Sequence, residues 1–277
     1  MFLSDYLAQE TTMSTSDIKY ILVFATCYGI YRMIMNKFVL TPLSKFVSKE
    51  NRYKFIHRGF DCIHYVTCAI IGVLSFLQRP YRVCAFYFGD CRKYNLCTGD
   101  FICSVFQKIY FYVFIGYYLS DVFWIHTTKD IPILCFHHTI TLTMMITCIL
   151  TARPVAGISI MVLHDIVDMF LYSGKIAGYL KIKPLSDTLL VIFATTFVYF
   201  RLFNLAIIIY TCATDKSEQY HNKVAYTLGR TFLCFLYCCH LIWGSQIARA
   251  VKKIIFQGDV IHDTRSGEAK IQSKKME

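Results

Sequence analysis

The chain predicts an all-α integral membrane protein with about seven transmembrane helices, and three observations lead there. Of its 277 residues 56% are hydrophobic and 16% aromatic, where a soluble domain of this length would be far more polar. The apolar residues gather into seven runs of about 20, the length that spans a bilayer as helix. Basic residues concentrate in alternate connections between those runs, as the positive-inside rule requires of a multi-pass protein.

The first run, 18–40, follows acidic and Ser/Thr-rich residues and lacks a clear small-residue cleavage site. That is the wrong start for a signal peptide, so residues 1–41 are read as a lumenal tail and a retained anchor. A basic loop, 42–59, carries Lys45, Lys49, Arg52, Lys54 and Arg58. Six further runs follow at 60–78, 101–120, 131–150, 154–172, 185–211 and 225–249, making one unit over 60–250. The turn after the fifth run holds Lys175, Lys181 and Lys183, and the tail 251–277 opens with Lys252 and Lys253. Those loops are expected in the cytosol, with the N-terminus lumenal and the C-terminus cytosolic. Loop 79–100 dissents, with Arg79, Arg82, Arg92 and Lys93 on the opposite side. The chain ends Lys274-Lys275-Met276-Glu277, the form of a dilysine retrieval signal of the endoplasmic reticulum, which a cytosolic receptor reads.

Several function classes drop out. The 13 cysteines include no C-x-x-C pair and give no metal framework; Cys84, Cys91 and Cys97 share one lumenal loop, where a disulfide is open to them. No Gly-rich phosphate loop, no G-x-S-x-G elbow and no basic-aromatic pattern for nucleic acid occurs, and the formal charge of +11 follows from membrane topology. The nine histidines do not form the H-x-x-H-H boxes of membrane di-iron enzymes; His57, His64, His126, His221, His240 and His262 are scattered. A metal bound by His137, His138, His164 and Asp168 is disfavoured because adjacent helix residues rarely ligate one ion, so no metal is expected.

What remains is a set of ionisable residues inside apolar runs, where an aspartate costs roughly 2.5–3.5 kcal/mol on insertion scales. His137-His138 lie in the fourth run, about 10 Å into the membrane at 1.5 Å per residue. His164, Asp165 and Asp168 lie in the fifth, at spacings of three and four that allow one helical face. Adjacent helix positions point about 100° apart, so at most one of His137 and His138 aims squarely at a given point. The fourth and fifth runs are expected to be antiparallel neighbours, which brings both sets to one depth in the cytosolic half. Asp187 enters the sixth run from that side, and Arg201 lies deeper as a candidate counter-ion. Imidazoles oriented by carboxylates suit proton transfer or nucleophilic catalysis. A bland reading, interhelical hydrogen bonding alone, accounts for one His/Asp pair more easily than for five converging groups.

These residues also carry a resemblance. FHHTITL (136–142) resembles an H-H-x-x-T motif, and GISIMVLHDIVDMFL (157–171) an H-D-x-x-D motif, both of the ceramide synthases in the TLC-domain superfamily. GYYLS (116–120), Lys129-Asp130, Lys175, Tyr179 and SDTLLVIFATTFVYFRL (186–202) also fall where that family has similar residues. Tyr172, Val155 and Gly178 depart from its Glu, Arg and Asn, and loop 42–59 leaves no room for the homeobox-like insert of many animal members; these changes bear on substrate detail more than on reaction class. The resemblance implies spans two to seven as a TLC-type bundle around a lipid-binding cavity. It implies N-acylation of a sphingoid base by a fatty acyl-CoA at the endoplasmic reticulum membrane, with the acyl-CoA as co-substrate and no other cofactor. His137 or His138 would act as base or nucleophile, Asp165 or Asp168 would orient a histidine, and His164 would serve a second proton transfer. Asp130, Lys175, Asp187 and Arg201 would position substrate. Membrane lipids, a homodimer or a small accessory subunit are the further partners considered. Two alternatives stand beside it: a non-catalytic lipid sensor or translocon-associated protein of the same fold, and a different lipid acyltransferase.

Overall fold

The computed structural model describes residues 3–77, 79–89, 102–128, 131–151, 154–214 and 223–257. Seven long helices dominate: α1 (Ile18–Met35), α2 (Arg52–Leu77), α3 (Val105–Asp121), α4 (Ile131–Leu150), α5 (Pro154–Tyr179), α6 (Lys183–Thr214) and α7 (Lys223–Gln257). All but α3 are long and apolar enough to cross a membrane, and α3, with 17 residues, completes the expected seven. The chain is thus an all-α integral membrane protein. Its one sheet among the described residues is a ribbon pairing β1 (Glu10–Thr12) with β2 (Ile102–Ser104), which ties the N-terminal segment to the start of α3.

Local chemistry sets the helix ends. At α3 the Ser104 hydroxyl accepts from the Gln107 N–H, and the Gln107 side chain accepts from the Ser104 N–H, each at 3.1 Å, so two otherwise orphaned donors are satisfied. Helix α5 runs on to Tyr179, seven residues past the expected end at 172, and Lys175 therefore stands on the helix and not in a turn. It stops where Lys181 takes a left-handed φ of 62° and the Ile182 N–H reaches back to the Ala177 carbonyl at 2.9 Å, a Schellman closure. Helix α2 likewise starts at Arg52 inside the expected loop 42–59. It passes through Arg58 because that cation is neutralised within the helix, by Asp61 at 2.7 Å. Within α6, Phe197–Asn204 is wound as a π-helix, a widening often found at functional sites, and it carries Arg201.

Helices α2, α3, α4, α7, α6 and α5 close a ring in that order, with α5 also touching α3 and α4 across its middle. Helix α4 packs chiefly on α7 and meets α5 more briefly, so the expected α4–α5 pairing is only part of its surroundings. Helix α1 sits outside the ring against α3. Gly116 permits that approach, since a Cβ there would lie 3.0 Å from the Phe24 backbone carbon. The core is aromatic, with Tyr110, Phe111, Phe114, Tyr117 and Tyr118 of α3 buried against Ile158, Met161, Val162 and Val167 of α5. Cys84 is disulfide-bonded; Cys91 and Cys97 lie outside the described residues, as does the Lys274–Glu277 end.

Candidate active site

A cavity of about 130 Å³ opens at one end of the ring. Its wall draws on all six helices of the ring. His137 and His138 stand with Tyr118 and Asp121 on one side, and Asp168, Tyr172, Lys175 and Arg201 on the other. Arg58 and Trp243 complete the polar and aromatic lining. Of the residues singled out in the sequence, His137, His138, Asp168, Lys175 and Arg201 therefore meet at one void. His164 and Asp165 are buried behind it. Asp187 is half-buried at the start of α6 and does not line the cavity, and Asp130 lies outside the described residues.

The two adjacent histidines differ in what holds them. His138 Nδ1 is 3.0 Å from the Leu134 carbonyl, which can only accept, so Nδ1 carries a hydrogen. Its Nε2 is 3.1 Å from Asp121 Oδ2, and Asp121 also accepts from the Arg32 guanidinium. Both ring nitrogens of His138 thus face oxygen acceptors, which holds the ring at both ends. His137 points elsewhere, its ring centroid 5.9 Å from that of His138 at an interplanar angle of 80°. Its Nδ1 is buried without a hydrogen-bond partner among the described residues, and the ring packs edge-on to Trp243 at 5.1 Å. Of the pair, His137 is the uncommitted imidazole.

The carboxylates of α5 do not orient these histidines, contrary to the sequence expectation. Asp165 is one position on from His164, about 100° round the helix, and accepts from the Tyr110 hydroxyl of α3 at 2.5 Å. Asp168 is engaged by Arg201, whose Nη2 donates to Asp168 Oδ2 at 2.6 Å and to the His164 carbonyl at 3.0 Å. The carboxylate facing a histidine is Asp121, the last residue of α3. A run of buried charges extends from it. Arg32 of α1, fully buried, also reaches Asp61 at 3.2 Å, Arg58 donates to Thr127 at 2.9 Å, and Tyr117 donates to Asp61 at 3.2 Å. Arg32 is sandwiched between the rings of Phe60 and Trp124, each 4.9 Å from its guanidinium carbon.

His240 of α7 also joins the site. Its Nε2 is 2.9 Å from His164 Nε2, while His164 Nδ1 faces the Ile160 carbonyl at 2.7 Å. In the sequence His240 is one of the scattered histidines and Asp121 follows a run, where charges normally mark the interface; Arg32 lies inside the run 18–40, and its depth there is the signal that could have found it. Tyr172, where the resembling family has Glu, stacks on Tyr65 at 5.1 Å and lines the cavity. No group of three His, Cys, Asp or Glu among the described residues is placed to hold a metal ion.

The void can therefore offer an uncommitted imidazole beside a carboxylate-paired one, in a wall that also carries the cations Arg58, Lys175 and Arg201. A model of the TLC domain matches residues 54–249, which takes in the whole ring of six helices apart from the first two residues of α2 and the last turns of α7. The chain is 25% identical to Ceramide synthase LOH1 of Arabidopsis thaliana over 93% of both sequences. It is 33% identical to Ceramide synthase 5 of Homo sapiens over 50% of this chain and 36% of that protein. It is 22% identical to Sphingosine N-acyltransferase lag1 of Schizosaccharomyces pombe over 91% of this chain and 66% of that protein.

Proposed function

Since the chain belongs to the TLC-domain family, we propose that it is a ceramide synthase, joining a fatty acyl group from acyl-CoA to the amine of a sphingoid base. The observation that carries this reading is His137, an imidazole with no hydrogen bond to commit it, facing a buried cavity beside the Asp121-paired His138. The long relatives named ceramide synthase and sphingosine N-acyltransferase support the choice of reaction.

The reaction converts an ammonium and a thioester into an amide, a thiol and one released proton. The His137 lone pair serves either of two routes. As nucleophile it bonds the acyl carbon while the C–S bond breaks; the amine then attacks that carbon and frees the imidazole. As base it takes a proton from the ammonium, and the amine attacks the thioester directly. In both, the departing thiolate takes a proton that the ammonium gave up, and the Asp121-held His138 stands beside the reacting centre. Asp168 and Arg201 hold the opposite wall. Lys175 and the basic end of the bundle draw the polyanionic head of acyl-CoA.

In this reading the cavity end and the C-terminus face the cytosol, where acyl-CoA is, and the N-terminus is lumenal. The unit over 60–250 is catalytic, and the endoplasmic reticulum is the host membrane. The test is lipidomics on cells stripped of their own ceramide synthases and complemented with this chain. Restored ceramide, abolished by Asp168→Ala at equal expression, is expected. A normal lipid profile from the variant, or no ceramide from the wild type, overturns the reading.

A further inference from the structure

We infer that His240 is a positioning residue of the same site, holding His164 neutral and its ring fixed behind His137; the inference rests on the reading above. His240 is fully buried on α7, three residues before the Trp243 that packs against His137. Its ring centroid lies 4.8 Å from that of His164 and 6.1 Å from that of His137.

Donor accounting fixes the roles. His164 Nδ1 faces a carbonyl oxygen at 2.7 Å and must donate. In a neutral ring its Nε2 then carries a lone pair, and the group facing it is His240 Nε2 at 2.9 Å, which supplies the hydrogen. That leaves His240 Nδ1 as a bare acceptor, and it is buried with no partner among the described residues. Leaving an acceptor unsatisfied is costly, and the cost is retained at a site where the opposite nitrogen is needed. Capping the His164 lone pair keeps a second buried base from competing with His137 for the substrate proton.

The two ring nitrogens can be replaced separately. A Gln amide reaches the place of Nε2 and an Asn amide that of Nδ1, while Phe fills the volume with neither. In detergent-purified enzyme, His240→Gln is expected to keep kcat within about threefold of wild type. His240→Asn and His240→Phe are expected to lose at least about tenfold in kcat with KM for acyl-CoA unchanged, the loss of one buried hydrogen bond behind the reacting group. Thermal midpoints should place Gln above Asn, which tests the hydrogen bond without reference to activity. Equal kcat in Gln and Asn, or Phe matching wild type, overturns the inference. His137→Ala run alongside separates the two claims: activity there removes the underlying reading, whereas an inactive His137→Ala with a fully active His240→Asn removes only the role of His240.

Discussion

Asp121→Asn removes one negative charge and almost no volume from the junction of α1, α3 and α4. In the native site that carboxylate accepts from His138 Nε2 at 3.1 Å and from the Arg32 guanidinium. Asn offers one carbonyl oxygen where two carboxylate oxygens stood, and the Arg32 guanidinium is the stronger claimant. The amide NH2 then faces His138 Nε2 in place of a charged oxygen. One hydrogen bond to a charged group is lost, about 1.5–3 kcal/mol, which converts at 1.36 kcal/mol per decade to roughly 10- to 150-fold in rate. Folding should suffer less than catalysis, because Arg32 keeps Asp61 at 3.2 Å as a second carboxylate. The assay is N-acylation of sphinganine in microsomes, with kcat and KM resolved and the amount of folded protein measured by size exclusion. A fall in kcat within that window at near-native abundance is expected. Wild-type kcat would mean that the Asp121–His138 pair plays no part in the chemistry, and the reasoning from its geometry would fail.

Two more perturbations test the surrounding structure. Arg32→Met takes the shared cation from Asp61 and Asp121 together, and is expected to cost about 3–5 kcal/mol, seen as a lowered thermal midpoint in detergent, with Arg32→Lys in between. A midpoint unchanged in Arg32→Met would show the charge cluster to be energetically idle. Gly116→Leu drives a side chain into the Phe24 backbone, 3.0 Å from where its Cβ would sit, and should cost about 1–3 kcal/mol by overpacking. Limited proteolysis should then release α1 first, and native protease resistance would contradict the packing described for α1 and α3.

How much of this was legible in the sequence depends on the physics that each feature obeys. Membrane spans are set by run length and composition, so all seven helices could be read, and only their ends moved. Those ends moved where a tertiary partner neutralised a charge, as Asp61 does for Arg58, or where a backbone turn decided the stop, as at Lys181. The five ionisable residues of the fourth and fifth runs stood out because charge at that depth is costly. Their partners did not stand out. Asp121 sits at a run end, His240 is a single histidine, and Arg32 is a lone cation inside the run 18–40; which of these turns inward depends on ring order, which no periodicity encodes. Hence the sequence points to Asp165 or Asp168 as the carboxylate beside a histidine, whereas the one paired with His138 is Asp121. Asp165 and Asp168 instead bond to neighbouring helices, through Tyr110 and Arg201. The divergence of His137 and His138 needed only the 100° step of a helix, but which of them stays free needed the Leu134 carbonyl and Asp121 in place.

The central claim is that the uncommitted imidazole of His137 carries the acyl transfer. Purified wild-type chain and His137→Ala, each reconstituted in nanodiscs with sphinganine and acyl-CoA, test it most directly. Wild type should form N-acyl sphinganine with stoichiometric release of CoA thiol, and His137→Ala should form none above the enzyme-free control. Turnover by His137→Ala at the wild-type rate would contradict it.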